Sequence, residues 1–145
     1  MKELTQKISD ILTNLDVVKS HASWVVDKRN GIEYLDMYSS YEVNEKGLKN
    51  NIAKRVEYLF SKLKWLEEEY PAYATNSRLI GQSAEIDLPS RTERNEALEK
   101  MLENGLLASS TGDKALRYNP PYYSTDEDIK QAIEITHKSF NTCLK

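Results

Sequence analysis

The sequence predicts an α+β fold: a small, mainly antiparallel sheet with an N-terminal β-hairpin, covered by a long helix and two or three shorter helices. Three observations carry this. Between Asn44 and Glu69 the apolar residues Leu48, Ile52, Val56, Leu59, Leu63 and Leu66 recur at steps of three and four, which draws one stripe down a long helix. An Asn-Gly pair at 30–31 sits between two short apolar runs, the signature of a tight hairpin. The element order is then helix, hairpin, long helix, strand, helix, two strands, helix, which suits helices laid over a mostly antiparallel sheet.

The elements follow in order. Leu4, Ile8, Ile11, Leu12 and Leu15 have helical spacing, predicting a short amphipathic helix over 3–14. Trp24–Asp27 reads as a strand, Lys28-Arg29-Asn30-Gly31 as a turn using positive φ angles, and Ile32–Met37 as the return strand. The long helix ends at Tyr70-Pro71, because proline cannot continue the hydrogen-bond ladder. Arg78–Leu88 reads as a strand broken by Gly81. Ser90 is positioned to cap a helix over 91–103, with Asn104-Gly105 as its stop. Two short strands are expected at Leu106–Ser109 and Ala115–Tyr118, with Thr111-Gly112-Asp113 turning between them. Ser124 and Glu127 have capping-box spacing for a last helix, whose buried face is Ile129, Ala132, Ile133, Thr136 and Phe140. Asp126, Glu127 and Asp128 crowd its first turn, where the helix dipole favours negative charge.

Composition narrows the class. A chain of 145 residues fits one unit with an adequate core, here 1–145 with an N-terminal segment 1–41 and a C-terminal segment 44–145. Its 39% hydrophobic and 30% charged content is that of a soluble globular protein. A net charge of −3 creates no field that favours nucleic acid or an anionic membrane. The lone Cys143 forms no internal disulfide and fits a reducing compartment. No apolar run is long enough to span a bilayer, and Lys7, Asp10 and Asp16 interrupt any secretory segment. A cytoplasmic location is expected.

Two parts of the chain carry a family resemblance. The first is Lys19–Asp27 with Gly31-Ile32-Glu33-Tyr34-Leu35-Asp36-Met37. The second runs from about Glu45 to Phe140. It includes Asn76-Ser77-Arg78-Leu79-Ile80-Gly81, Ile86-Asp87-Leu88-Pro89-Ser90-Arg91-Thr92-Glu93-Arg94, and Gly105–Pro121 followed by Ser124-Thr125-Asp126-Glu127-Asp128-Ile129. These resemble the N-terminal hairpin and C-terminal small domain of class III (fold type I) pyridoxal-phosphate aminotransferases. "DLP-x-x-x-x-R" and Tyr34–Ser39 are similar to the lysine 6-aminotransferase branch. In that family the "LRF-x-PP" strand carries an arginine that grips a substrate carboxylate, which here falls on Arg117. The resemblance implies a large domain between the two parts, carrying the Schiff-base lysine, the aspartate facing the pyridine nitrogen and the phosphate cup. Here Tyr41-Glu42-Val43 bridges directly.

The expectation is therefore a catalytically incomplete small domain, with Arg117 as its substrate-carboxylate contact and no catalytic, cofactor-binding or metal-binding residue. No cofactor is expected on this chain alone, although the full-length family uses pyridoxal 5′-phosphate. The rivals are one half of a split aminotransferase whose partner chain supplies the large domain, and a non-enzymatic interaction or carboxylate-binding module, which includes a homo-oligomer. Nucleic acid, membrane and metal are not expected as partners. Trp24, Tyr38 and Tyr41 are candidates for a patch exposed by the missing domain.

Blander readings stand beside these. Arg117 also fits an exposed strand arginine paired with Asp113 or solvent. Arg78 and Gly81 read as structural, a strand tied to a helix end and a close backbone approach. Ser109-Ser110-Thr111-Gly112 lacks the phosphate-loop pattern and reads as a tight turn. His21 and His137 lack metal-ligand spacing with Cys143. Glu67-Glu68-Glu69 reads as a solvated helix end. Tyr118, Tyr122 and Tyr123 lack interleaved basic residues and suit a core or interface role.

Overall fold

Leu4, Ile8 and Ile11 fall one turn apart on helix α1 (Lys2–Thr13), and all three are buried against the rest of the chain. The computed structural model describes residues 2–16, 20, 23–38, 46–121 and 123–145, with residue 2 and residues 46–52 described through the backbone alone. His21, Tyr41, Tyr122 and the Tyr41-Glu42-Val43 bridge lie outside the described residues, as do the side chains of Leu48 and Ile52.

Strands β1 (Trp24–Val26) and β2 (Glu33–Asp36) form the antiparallel hairpin the Asn-Gly pair predicts. Gly31 takes a φ of 74°, while Asn30 does not adopt a left-handed conformation. Its side-chain carbonyl instead accepts from the Ile32 N–H. Helix α2 (Lys46–Glu69) buries Val56, Leu59, Leu63 and Leu66, so the stripe read from the sequence is its core face. Each such leucine contributes about 1.5–3 kcal/mol relative to exposure.

The segment expected as one strand interrupted at Gly81 is a second hairpin, β3 (Thr75–Ile80) and β4 (Ser83–Asp87). Gly81, at a φ of 58°, makes the turn rather than a close approach within a strand. Helix α3 (Arg91–Glu103) starts at the predicted cap, where Ser90 Oγ accepts from the Glu93 N–H. Gly105 follows in the left-handed region at a φ of 92°.

The expected strand Leu106–Ser109 divides. Leu106–Leu107 is β5 and pairs in parallel with β2, whereas Ser109–Thr111 is β6 and pairs antiparallel with β7 (Ala115–Tyr118). Buried Ala108 is the joint where the chain changes sheets. Ser109-Ser110-Thr111 is thus a strand, with the turn beginning at Gly112. Helix α4 (Asp126–Cys143) is capped one residue later than predicted. Thr125 accepts from the Asp128 N–H and Asp128 reaches back to the Thr125 N–H, while Ser124 Oγ donates to the Pro121 carbonyl.

Among the described residues the strands form two sheets, ordered β1-β2-β5 and β3-β4-β7-β6. Only β2–β5 is a parallel pair, so the mainly antiparallel α+β expectation is met, with two small sheets in place of one. The N-terminal segment is bonded into the C-terminal one: Leu35 and Met37 N–H groups donate to the Gly105 and Leu107 carbonyls, both at 2.8 Å. Ser23 Oγ also donates to the buried Asp128 carboxylate at 2.8 Å. Trp24 and Tyr38 are half-buried against the core, so they do not form the exposed patch foreseen for them.

Candidate functional site

Alternation along β4 decides where the site lies. Ala84 and Ile86 point into the core under the helices and are fully buried, which sends Ser83, Glu85 and Asp87 to the opposite face. Register then aligns a single row across four strands: Arg78 on β3, Glu85 on β4, Arg117 on β7 and Ser109 on β6.

Charge dominates this row. Arg117 donates from Nε (2.9 Å) and Nη2 (2.6 Å) to Glu85 Oε1. Arg78 Nη2 lies 2.8 Å from Glu85 Oε2, and its Nη1 lies 3.0 Å from Asp87 Oδ1. The Glu85 side chain is 3% exposed, whereas Arg78 and Arg117 remain 31% and 35% exposed. A carboxylate so covered is tolerated only when its oxygens are paired, and each has its own guanidinium.

Neighbouring groups hold the row in register. Asn76 sits at a φ of 54° where β3 slips against β4, and its amide donates to Asp87 Oδ2 at 3.0 Å. Asparagine tolerates that conformation better than most residues. Glu67, on the last turn of α2, accepts from the Ser77 N–H at 2.8 Å and pairs with Lys64 at 3.2 Å. Burial opposes its ionisation, but the bonds from Ser77 and Lys64 outweigh that and hold its carboxyl below the ordinary value. Glu67 is thus part of the framework rather than a solvated helix end. On the other side, Asn119 donates to the Tyr38 carbonyl at 3.1 Å and is hydrogen-bonded to Ser83. The end of β7 is thereby tied to the segment leaving β2.

Arg94 secures the β6–β7 turn. It is 3% exposed, and its Nη1 donates to the carbonyls of Thr111 (3.2 Å), Gly112 (3.2 Å) and Ala115 (3.5 Å). Burial, and then the nearby Arg91, lower its pKa from the usual arginine value.

The structure places the other sequence-predicted residues as follows. Arg117 stands on the strand expected for it, but its partner is Glu85. Asp113 instead pairs with Arg91 at 2.7 Å. Arg78 ties β3 to β4, not to a helix end. Tyr118 is buried with its hydroxyl 2.8 Å from Thr136 Oγ1, a core role, and Tyr123 is half-buried. His137 Nδ1 lies 2.7 Å from the Tyr70 hydroxyl, and its ring packs against Trp65. Burial pushes the Cys143 thiol up, away from a reactive thiolate. Among the described residues no cluster of three His, Cys, Asp or Glu side chains has a metal-holding arrangement. No described helix is long and apolar enough to cross a membrane.

Reading by sequence missed Glu85, and it quoted Arg94 and Asn119 only as parts of motifs. The alternation Ser83-Ala84-Glu85-Ile86-Asp87 was the available signal, since it puts two carboxylates on one strand face.

Comparison with known proteins adds an independent line. The family model for aminotransferase class-III matches residues 41–140. Acetylornithine aminotransferase of Synechocystis sp. is 34% identical over 99 residues, covering 67% of this chain and 23% of that protein. L-lysine-epsilon aminotransferase of Amycolatopsis lactamdurans is 28% identical over 131 residues, covering 88% of this chain and 29% of that protein. The solved lysine aminotransferase from M. tuberculosis superposes with a TM-score of 0.65 at 21% identity, over 68% of this chain and 22% of the other. This chain spans 23% and 29% of the length of those two curated relatives.

Proposed function

The chain belongs to the class-III aminotransferase family, and we propose that it is a single small-domain unit of the lysine 6-aminotransferase kind, cytoplasmic and without amino-transfer activity of its own. In this reading Arg117 supplies the contact for a substrate carboxylate. A planar guanidinium on a strand face suits bidentate recognition of such a group. The observation that carries the proposal is the arginine row on a partly exposed sheet face within a family match over 41–140.

The described residues do not fit pyridoxal phosphate. Holding it needs an amine of lowered pKa in a covered pocket. No described lysine side chain is buried, and the Lys7 and Lys100 amines are held above their ordinary value by Glu99 and Glu103 respectively. The buried carboxylates Asp27, Asp36, Glu85 and Asp128 are taken up by Arg29, the Tyr38 N–H, the two sheet arginines, and Ser23 with Thr125 respectively. Those groups are unavailable to a pyridine nitrogen.

A second reading, one half of a split enzyme, draws support from the same polar face. Arg78 and Arg117 there keep a third of their surface in solvent, as a face completed by a partner chain requires. One experiment separates the two. The chain is incubated with pyridoxal phosphate, reduced with borohydride and mapped for pyridoxyl-lysine, alone and after copurification from its source. Scattered, substoichiometric labelling with no partner supports the inert unit. A copurifying chain that restores amino transfer supports the split enzyme. Stoichiometric labelling of one lysine on this chain alone overturns both.

A further inference from the structure

We infer that the cleft where α2 and α4 end is a binding site for an organic cation that carries N–H donors on an apolar stem. The cleft shares no residue with the arginine row, and the inference does not depend on the reading of Arg117.

The helix ends supply the first argument. The cleft holds about 410 Å³, within the ~300–1,000 Å³ of small-molecule sites. Glu69, the last residue of α2, and Leu144, the C-cap of α4, both line it. Two helix C-termini therefore converge there, each bringing the negative end of its dipole and the carbonyls left over from its last turn. A lysine or arginine offsets such an end, yet neither helix has a basic residue in its last turn. Helix α2 does the reverse and closes on Glu67-Glu68-Glu69. Ser77 and Lys64 occupy Glu67, whereas Glu69 has no ion pair among the described residues. Glu93 also lines the cleft, in the first turn of α3, and its carboxylate likewise has none. It offsets the positive end of α3, while nothing offsets the other two helix ends. No arginine, lysine or histidine lines the cleft.

An unmet hydroxyl supplies the second argument. Tyr73 lines the cleft and is 7% exposed, and its hydroxyl has no hydrogen-bond partner among the described residues. A buried polar atom left in that state costs stability until a partner arrives. Burial, followed by the Cys143 thiol and the Glu93 and Glu96 carboxylates, pushes its pKa up, so the hydroxyl stays neutral. Its oxygen keeps a lone pair for an incoming N–H, which a quaternary ammonium does not carry.

The rest of the lining fixes the ligand class. The Tyr70 hydroxyl is spent on Asn141 and His137, so Tyr70 offers its ring, and tyrosine rings attract cations. Pro71, Pro89 and Leu144 give an apolar surface for a hydrocarbon stem. The two carboxylates have no third ligand in a metal-holding arrangement among the described residues, which points to an organic cation.

The test titrates the chain with n-butylammonium and n-butylguanidinium, following backbone amides by NMR at constant ionic strength. Tetraethylammonium, which lacks an N–H, and uncharged n-butanol are the controls. Wild type is compared with Glu69→Gln/Glu93→Gln and with Tyr73→Phe. The expected result is saturable shifts at 69–74, 90–93 and 143–145 with at least one N–H cation, the tighter of the two naming the head group. The double glutamine variant should lose about tenfold or more in affinity, the size of one hydrogen bond to a charged group. Tyr73→Phe should weaken the N–H cations and leave tetraethylammonium unchanged. Its urea midpoint should be no lower than that of wild type, because the hydroxyl it removes has no partner.

Butanol binding as tightly as butylammonium would make the cleft an apolar patch and overturn the inference. Affinity that survives both glutamines, or shifts centred outside the cleft, does the same. Wild-type affinity for the N–H cations in Tyr73→Phe overturns the ligand class. If a variant fails to fold, the wild-type comparison of butylammonium with butanol decides.

Discussion

Two arginines flank the same hairpin and are satisfied in opposite ways. Arg94, beneath the β6–β7 turn, is buried and gives its charge to three main-chain carbonyls. Arg117, on β7, is a third exposed and gives its charge to one side-chain carboxylate. A cation spent on carbonyls is committed to architecture, because no ligand replaces the backbone. A cation spent on a carboxylate is exchangeable, since any carboxylate offers the same oxygens. The difference separates a positioning residue from a candidate binding residue without reference to conservation.

The largest effect expected from this contrast is at Arg94. Arg94→Met keeps the stem and removes the donors, and each buried carbonyl left unpaired costs roughly 1–3 kcal/mol. The Ala115 bond is buried and those to Thr111 and Gly112 are partly buried, so water replaces some of what is lost and a loss of about 3 kcal/mol in urea unfolding is expected. Arg117→Ala comes next. Hydrogen bonds to charged groups are worth about 1.5–3 kcal/mol, and solvent screening of a partly exposed arginine puts the loss toward the low end. If Arg117→Ala proved as damaging as Arg94→Met, Arg117 would be architectural too and the contrast would collapse.

Which parts of this were legible in the sequence follows from the range over which each signal acts. The α2 stripe of Val56, Leu59, Leu63 and Leu66 was legible because helix burial repeats along the chain. The change of sheet at Ala108 was not, since two- and three-residue strands carry too few side chains to show a period. The α4 cap was displaced by one residue because Ser124 and Thr125 are chemically alike, and only the Pro121 turn that occupies Ser124 Oγ tells them apart. The strand bearing Arg117 was readable from resemblance, but its partner was not. Asp113, four residues away, looked the nearer choice, yet β4–β7 register sets Glu85 opposite Arg117 across 32 positions. Registers between distant strands are fixed by packing, and no local pattern encodes them.

A smaller effect tests the other border of the row. Glu67 carries the Ser77 N–H beside Arg78, and its carboxyl is held below the ordinary value. A depressed folded pKa contributes stability that is present above the unfolded carboxylate value and lost as pH falls through the folded one. Stability is therefore expected to decline below about pH 4.5 in wild type, starting near the unfolded glutamate value. Glu67→Gln should lose about 1 kcal/mol at neutral pH, the size of one hydrogen bond, and show a shallower acid limb. Urea midpoints from pH 3 to 7 measure both. An unchanged acid limb would assign the decline to other carboxylates, such as Asp27 under Arg29.

The smallest effect should come from Arg91, and its smallness is informative. Arg91 and Asp113 meet at 2.7 Å, as close as any contact in the Arg117 pair except one, but their side chains are 64% and 89% exposed. Contact distance alone would rank this pair beside Arg117–Glu85. Burial ranks it far below, because water solvates both charges as well as they solvate each other, and exposed pairs are worth about 0–1 kcal/mol. A second term has the opposite sign: Arg91 is one of the charges that lower the pKa of Arg94, so its removal relieves repulsion on the buried cation. Arg91→Ala is expected to change stability by no more than about 0.5 kcal/mol in either direction. In Arg94→Met, where that repulsion is absent, the same substitution should be the more destabilising. The double-mutant cycle reads the difference directly. A coupling of zero between 91 and 94 would mean that the carbonyl cage already screens Arg94, and burial by itself would then account for the contrast between the helix arginine Arg94 and the strand arginine Arg117.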